Sequence, residues 1–556
     1  MTWVSLQMNQ GGRGVLTAVG VGFGLVAGVS LYSIWKRYRR HCAISRLVPG
    51  FEASALGGNM SQIMKAGGLL PFLVELHESF GSVAMFSGPL FSAQVSINDP
   101  LILSEMGALR LDKDVNGLNF LKGLLGPRGV GYLGGAAAKR RRGILMRIFE
   151  EQPIDDLLPL LLEAIERKVK EWGGRERGNG DVEVQSEIQP LWMELNAFNV
   201  FGSADVSTMA LSRKFQQALQ LLMVLRYKPF VLPFSSEWRK KRRLLREVHE
   251  ELRQIMEPES SKRGFISSSF GKEREMTNSV KAPANEWKAR GGDLLGMLLN
   301  ELQESKRKEN GRKGAKGKGN EPGGIQCLED VRDEVLTFLF GTFDNYVIVS
   351  NVLYYLAANP ECQSRAREEV KSRLCKDGKL DDTKLSVEAL RQLTYIRNCI
   401  RESLRITPVG GVTWRLVSQR TTLRLPPLSS SPDHPASLEL LPGDSVVIPM
   451  ISIHRNPAVW DRPFEFLPDR WEERRKTEGS ASSILSFIPF GLGMRACLGQ
   501  RFAQDLTTLI LCVVLSQFSV KLVGEGGPHG EAPQWGEQNF TYMARGGLFL
   551  SFQHLN

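Results

Sequence analysis

Cysteine is scarce in this 556-residue chain, with seven in all, and no two of them form a C-x-x-C pair. An odd, scattered set makes neither a disulfide framework nor a zinc ribbon, so a reducing, cytosol-facing compartment is expected. Internal repeats are lacking, and so are long uncharged runs, with one exception near the N-terminus. What is present is 42% hydrophobic and 24% charged, a balance that excludes a disordered, collagen-like or multi-spanning membrane protein. At roughly 150 residues per domain the length suggests three or four domains, although one large enzyme domain fits equally well. The 71 basic and 60 acidic residues give a net charge of +11, compatible with nucleic acid, an anionic membrane or an acidic protein as partner. Residues 305–320, SKRKENGRKGAKGKGN, hold seven basic residues against one acidic and read as a solvated, low-complexity insertion. More than half of the net charge therefore lies outside the folded body. The basic residues also lack interleaved aromatics, so no nucleic-acid partner is expected.

The exceptional run is residues 15–35, which are 21 residues without a charge. At about 1.5 Å per residue they reach about 31 Å, the hydrocarbon thickness of a bilayer. Lys36, Arg37, Arg39 and Arg40 follow directly, where a cleaved signal peptide would have a small-residue cleavage site. Residues 1–40 are read as a single-pass anchor and its basic flank, which leaves 41–556 on the cytoplasmic side. Gly20, Gly24 and Gly28 form a weak G-x-x-x-G pattern.

Beyond the anchor the pattern is mainly α with small β-sheets. Residues 328–359 contain no proline and end at Pro360, so they predict one helix about 48 Å long through the interior. Gly341 in its middle costs about 1 kcal/mol relative to alanine, a penalty tolerated where a large flat group must approach the backbone. A second helix is predicted over 387–406, ending before Pro408. Strands are predicted at 83–86, 93–97, 423–425 and 445–449, and surface excursions at 260–287 and 426–437.

Residues 487–499, FIPFGLGMRACLG, fit F-x-x-G-x-R-x-C-x-G through Phe490, Gly493, Arg495, Cys497 and Gly499. Glycines let the chain turn tightly around a sulfur, and a helix patterned over 506–520 follows. A metal-bound cysteine must lose its proton, and an isolated one suffices if the metal arrives inside a porphyrin. On this segment the chain resembles a microsomal cytochrome P450, a haem-thiolate oxygenase, from about Val48 to the C-terminus. Glu402-Ser403-Leu404-Arg405 is similar to the family's E-x-x-R helix, and FLPDRW at 466–471 to its P-E-R-F element.

The resemblance implies a cytochrome P450-like haem domain with haem b on the Cys497 thiolate and a buried salt-bridge network of Glu402, Arg405 and Arg470. It also implies propionate contacts from Arg142, Arg415 and Arg495, charge-assisted bonds of the stronger kind. Arg142 lies in AKRRR, where alanine replaces the tryptophan of W-x-x-x-R. In place of A-G-x-[DE]-T-T the chain has Gly341-Thr342-Phe343-Asp344-Asn345-Tyr346. Asp344 can relay protons, but Asn345 stands where the family has a threonine, and an amide is a poorer relay than a hydroxyl. Pocket walls are expected at 118–132, 338–343, 409–413 and 540–545. Residues 58–83 are faintly similar to the orphan animal branch numbered twenty.

The implied activity is oxidation of an apolar small molecule at the endoplasmic reticulum membrane, with electrons from an NADPH-dependent flavoprotein reductase. A reductase-independent isomerase or dehydratase of oxygenated lipids and a non-catalytic haem-binding membrane protein are the alternatives.

Overall fold

The computed structural model describes residues 31–555, except 55–56, 109–110, 152–153, 174–180, 226–231, 233, 264–291, 312–322, 426–435, 476–480 and 539–540. The expected span over 15–35 thus lies mostly outside the described residues, as does most of the basic insertion. Residues 31–45 are helical.

The helical body encloses α1 (Gly135–Glu151), α2 (Leu328–Thr342), α3 (Tyr346–Ala358), α4 (Thr394–Ile406) and α5 (Gln500–Gln517). In α5 every residue from 502 to 516 is buried, because helices Pro360–Leu374, α4 and Ile154–Gly173 all pack around it. Its polar residues are satisfied internally. Thr507 and Thr508 donate back to the carbonyls of Ala503 and Gln504 at 2.7 Å, while Asp505 accepts from Arg391 and Arg397. A buried helix with self-satisfied hydroxyls is apolar on all sides, as a core helix must be.

A five-stranded sheet flanks this body: β1 (Val83–Gly88), β2 (Ser92–Ile97), β3 (Asp112–Lys113), β4 (Thr413–Leu416) and β5 (Ser445–Ile448), in the order β1-β2-β5-β4-β3. β2 and β5 run parallel, with Val446 opposite Val95, and every other pair is antiparallel. A C-terminal hairpin, β6 (Gln534–Gln538) and β7 (Thr541–Arg545), reaches back to the helices through a bridge from Thr541 to Gly410.

Four expectations need correction. The helix predicted over 328–359 is interrupted at residues 343–345. There Phe343, Asn345 and Val347 N–H groups turn to carbonyls three residues back, and side chains take the carbonyls left over: Trp192 Nε1 donates to Thr342 at 2.9 Å and Asn345 Nδ2 to Gly341 at 3.1 Å. Substituted partners of this kind are a recognised cause of helix breaks. The helix predicted over 387–406 divides into Val387–Arg391 and α4, because the Glu369 carboxylate caps a new start by accepting from Tyr395 and Ile396 N–H at 2.9 and 3.0 Å. The insertion begins later than its composition indicates: helix Leu294–Gly311 runs into it. The helix behind the cysteine loop likewise starts at Gln500 rather than 506. Leu328–Ala358 is long and apolar enough to cross a bilayer, but it packs inside the protein as part of the core.

Candidate functional site

The cysteine loop is shaped by two glycines in left-handed conformation, Gly491 (φ 77°) and Gly493 (φ 60°), which residues with a Cβ adopt only at a cost. The loop closes on itself through Cys497 N–H to the Phe490 carbonyl at 2.7 Å. Gly499 caps α5, and its N–H reaches the Cys497 sulfur. Cys497 is exposed, but to a cavity of about 1020 Å³ lined by Arg142, Met146, Gly493, Arg495 and Phe502 among others. Protein packs around the rest of the thiol, and this burial raises its pKa against the lowering pull of the Gly499 N–H and Arg142.

Cations from four elements converge around the loop, the others each feeling the charge of Arg495. Arg142 stands on α1, Arg495 in the loop, and Arg415 on β4 directly opposite Lys113 of β3. Like charges directly opposed across an antiparallel pair are destabilising, and Lys113, Arg415 and Arg142 are each lowered in part by a neighbouring cation. Burial, then Arg495 and Arg415, bring Lys113 down to about 8. Burial and Arg495 bring Arg415 down to about 10, and burial and Arg495 lower Arg142.

The acid in this cluster is Asp112. Burial alone would raise its pKa, but Gly135 N–H, Arg495 and Lys113 N–H hold it low. It accepts from Arg495 Nε at 2.7 Å. Arg415 donates to Thr413, Trp414 and Leu492, yet its Nε is buried without a partner among the described residues. An orphaned guanidinium nitrogen among repelling cations is the arrangement that a dianion would complete.

Glu402, Arg405 and Arg470 form a buried network. Both Glu402 and Arg405 have fully buried side chains and meet through two bonds at 3.1 and 2.9 Å. Arg470 Nε donates to the same carboxylate at 2.9 Å. Its remaining acceptor capacity goes to Trp471 Nε1 at 3.0 Å and Leu467 N–H at 3.1 Å. Arg405 also donates to the carbonyls of His454, Pro463 and Glu465. His454, which burial brings down to about 3, is neutral and accepts from Ile488 N–H at 2.9 Å. The network is thereby tied to the start of the cysteine loop.

On the other side of the interior, Gly341 faces open space, with nothing within 4 Å of an added Cβ. Asp344 turns from the helix break to β7, where Thr541 Oγ1 hydrogen-bonds its carboxylate. Burial raises Asp344 to about 7, partly offset by that bond. Asn345 lies beside it, its amide engaged by Gly341 as described. In three of the expected wall segments, apolar side chains such as Leu118, Phe338 and Val409 pack against the core clusters, while the fourth is described only from Thr541.

Sequence reasoning missed Asp112, Lys113, Trp471, His454 and Thr541. Arg141, the neighbour of Arg142 in AKRRR, is buried and bonded to Glu334 at 2.6 Å and to the carbonyls of Gly323 and Gly324. Only the W in FLPDRW, adjacent to Arg470, carried a readable signal.

A mostly helical body thus carries a cysteine loop beside a cluster of cations, a donor set that fits an acidic prosthetic group held through sulfur. A family model described as Cytochrome P450 matches residues 48–539, and the chain belongs to that family, in which haem is held by a cysteine thiolate. Among curated relatives, probable cytochrome P450 312a1 of Drosophila melanogaster is 33% identical over 36% of each chain. Cytochrome P450 4F12 of Homo sapiens is 32% identical over 43% of this chain and 41% of its own. The taurochenodeoxycholic 6 alpha-hydroxylase of Sus scrofa is 29% identical over 61% and 54% respectively. The matched stretches thus span about a third to a half of these relatives' lengths.

Proposed function

We propose that the chain is a membrane-anchored haem-thiolate monooxygenase that oxidises an apolar small molecule, with electrons from an NADPH-dependent flavoprotein reductase. The observation that carries this reading is the cationic floor beside the Cys497 thiol, with Arg415 Nε left without a partner among the described residues. The residues fit haem b. Cys497 would ligate the iron, and Arg142, Arg415, Arg495 and Lys113 would hold the propionates. Phe490, Gly493 and Gly499 would shape the loop around the sulfur. Bound there, the group supplies oxygen activation, favoured by electron density from the thiolate.

The other steps belong to the protein. Arg142 beside the sulfur favours the thiolate, and a dianion in the floor would relieve the mutual repulsion of the cations. The Glu402 network holds the loop in register through His454. Apolar side chains of α2, with Leu118, Phe120 and Tyr132, would exclude water from the substrate. Asp344 would hold and release a proton near neutral pH.

Residues 1–40 would seat the protein on the endoplasmic reticulum membrane, with residues 41–556 as the cytoplasmic catalytic domain. Leu31, Tyr32, Trp35, Tyr38 and Leu90 are exposed, and Tyr38 packs on Phe91 at 4.9 Å, so an aromatic belt adjoins the basic flank. Such belts sit at lipid headgroups. The relative acting on taurochenodeoxycholic acid is consistent with a largely apolar substrate.

Reconstitution of the full chain with reductase and NADPH tests the activity. The reduced, carbon-monoxide-bound protein should show a thiolate spectrum that Cys497→Ala abolishes; an unchanged spectrum would remove Cys497 as ligand. The second reading, a reductase-independent isomerase or dehydratase of oxygenated lipids, is favoured by Asn345, whose amide is turned onto Gly341. Turnover of a lipid peroxide without NADPH would select it.

A further inference from the structure

The central helix lacks the family's hydroxyl after its acid, but the fold brings another hydroxyl to that acid. Thr541 lies 197 positions further along the chain, and three features hold it against the helix break. Thr541 pairs with Gly410, and Tyr542 N–H donates to the Val409 carbonyl at 3.1 Å. Trp192 ties down the Thr342 carbonyl on the other side of the break. The break itself, and not helical periodicity, sets where the Asp344 carboxylate sits. Asn345 is engaged with the Gly341 carbonyl. The titratable groups of this corner are Tyr346, which feels the Asp344 charge, and Glu183 beyond it. Glu183 is itself engaged by Leu548, Gln185 and Ser186 N–H.

We propose that Thr541 is the hydroxyl through which Asp344 positions and passes its proton, doing from the C-terminal hairpin what a helix-borne threonine does in the family pattern. When Asp344 is ionised, Thr541 O–H donates to it. When Asp344 is protonated the bond reverses, Asp344 O–H donates to Thr541 Oγ1, and the threonine hydrogen is free to point into the interior. Loss of that hydrogen to a water there, with the Asp344 hydrogen moving onto Oγ1, restores the hydroxyl and leaves a carboxylate. One proton has crossed, no electron has moved, and solvent reprotonates Asp344. The proton's use rests on the monooxygenase reading, whereas the pair itself does not.

The test uses the full-length, haem-loaded protein and the variants Thr541→Val, Thr541→Ser and Asp344→Asn. The protonated carboxyl band, identified in the infrared by its loss in Asp344→Asn, should titrate near pH 7. Thr541→Val, which keeps the shape and removes the hydroxyl, should move that midpoint up by about one to two pH units, the equivalent of one hydrogen bond to a charged acceptor. Thr541→Ser should leave it in place. A filler of space would not shift a titration. Product formed per NADPH should fall at least about tenfold in Thr541→Val and recover in Thr541→Val combined with Asn345→Thr, which restores a hydroxyl to the helix. A midpoint or a product yield unmoved by Thr541→Val would overturn the proposal. If the midpoint shifts but no form, wild type included, couples NADPH to product, the monooxygenase reading fails and the relay with it, while the hydrogen-bonded pair stands.

Discussion

Lys113 and Arg415 face each other across two strands while the nearby Asp112 carboxylate is bonded to Arg495, and this sets the behaviour of the haem-free protein. The folded pKa of Lys113, about 8, lies below its ordinary 10.5, so between those values the unfolded chain binds the extra proton. Stability of the apoprotein should therefore rise as pH goes from about 8 to 10.5 and be lost as pH falls back through 8. Urea midpoints across that range should show the rise, and Lys113→Met should flatten it. Arg415→Met removes one charge-assisted donor and should weaken haem retention by about 10- to 100-fold, read as transfer to an apoprotein acceptor. Glu402→Gln leaves two buried guanidinium groups short of a countercharge and should destabilise the protein by about 3–5 kcal/mol in denaturant unfolding. Of these residues Arg415 and Glu402 were legible in linear motifs. Lys113 was not, because a lysine in the polar string LDKD looks solvated until a strand places it opposite an arginine.

At the scale of elements, the two helix divisions have the same cause. Side chains from elsewhere supply better partners than the continuing helix would. Glu369 caps α4, and Glu369→Ala should lower the thermal midpoint by the equivalent of about 0.5–2 kcal/mol, the usual cost of a lost cap. Helical periodicity marked helical material within 328–359 and 387–406 because burial of an apolar face is written in the spacing. It could not locate the breaks, since Trp192, Thr541 and Glu369 approach from distant parts of the chain. The strands predicted at 83–86, 93–97, 423–425 and 445–449 correspond to observed strands Val83–Gly88, Ser92–Ile97, Thr421–Arg424 and Ser445–Ile448, legible as β-branched and apolar runs. β3, two residues long, carries no such signal and exists only because Asp112 and Lys113 align with Leu416 and Arg415.

For the whole molecule, Arg40 is the fastening point. It donates to both oxygens of Asp444 and to the Glu439 carbonyl, which clamps helix 31–45 against the domain. Removal of residues 1–35, leaving that clamp, should release the protein from alkali-washed membranes with its unfolding midpoint unchanged. Retention on the membrane would place the anchor elsewhere. The sequence by itself determined the family, the cysteine loop, the E-x-x-R helix and the apolar N-terminal run, since each depends on contiguous residues with fixed spacing. Tertiary structure alone decided the charge balance of the cationic floor and the partner of Asp344. Electrostatics and hydrogen bonds act over a few ångströms of space, and residues such as Asp344 and Thr541 become neighbours only when the chain has closed on itself.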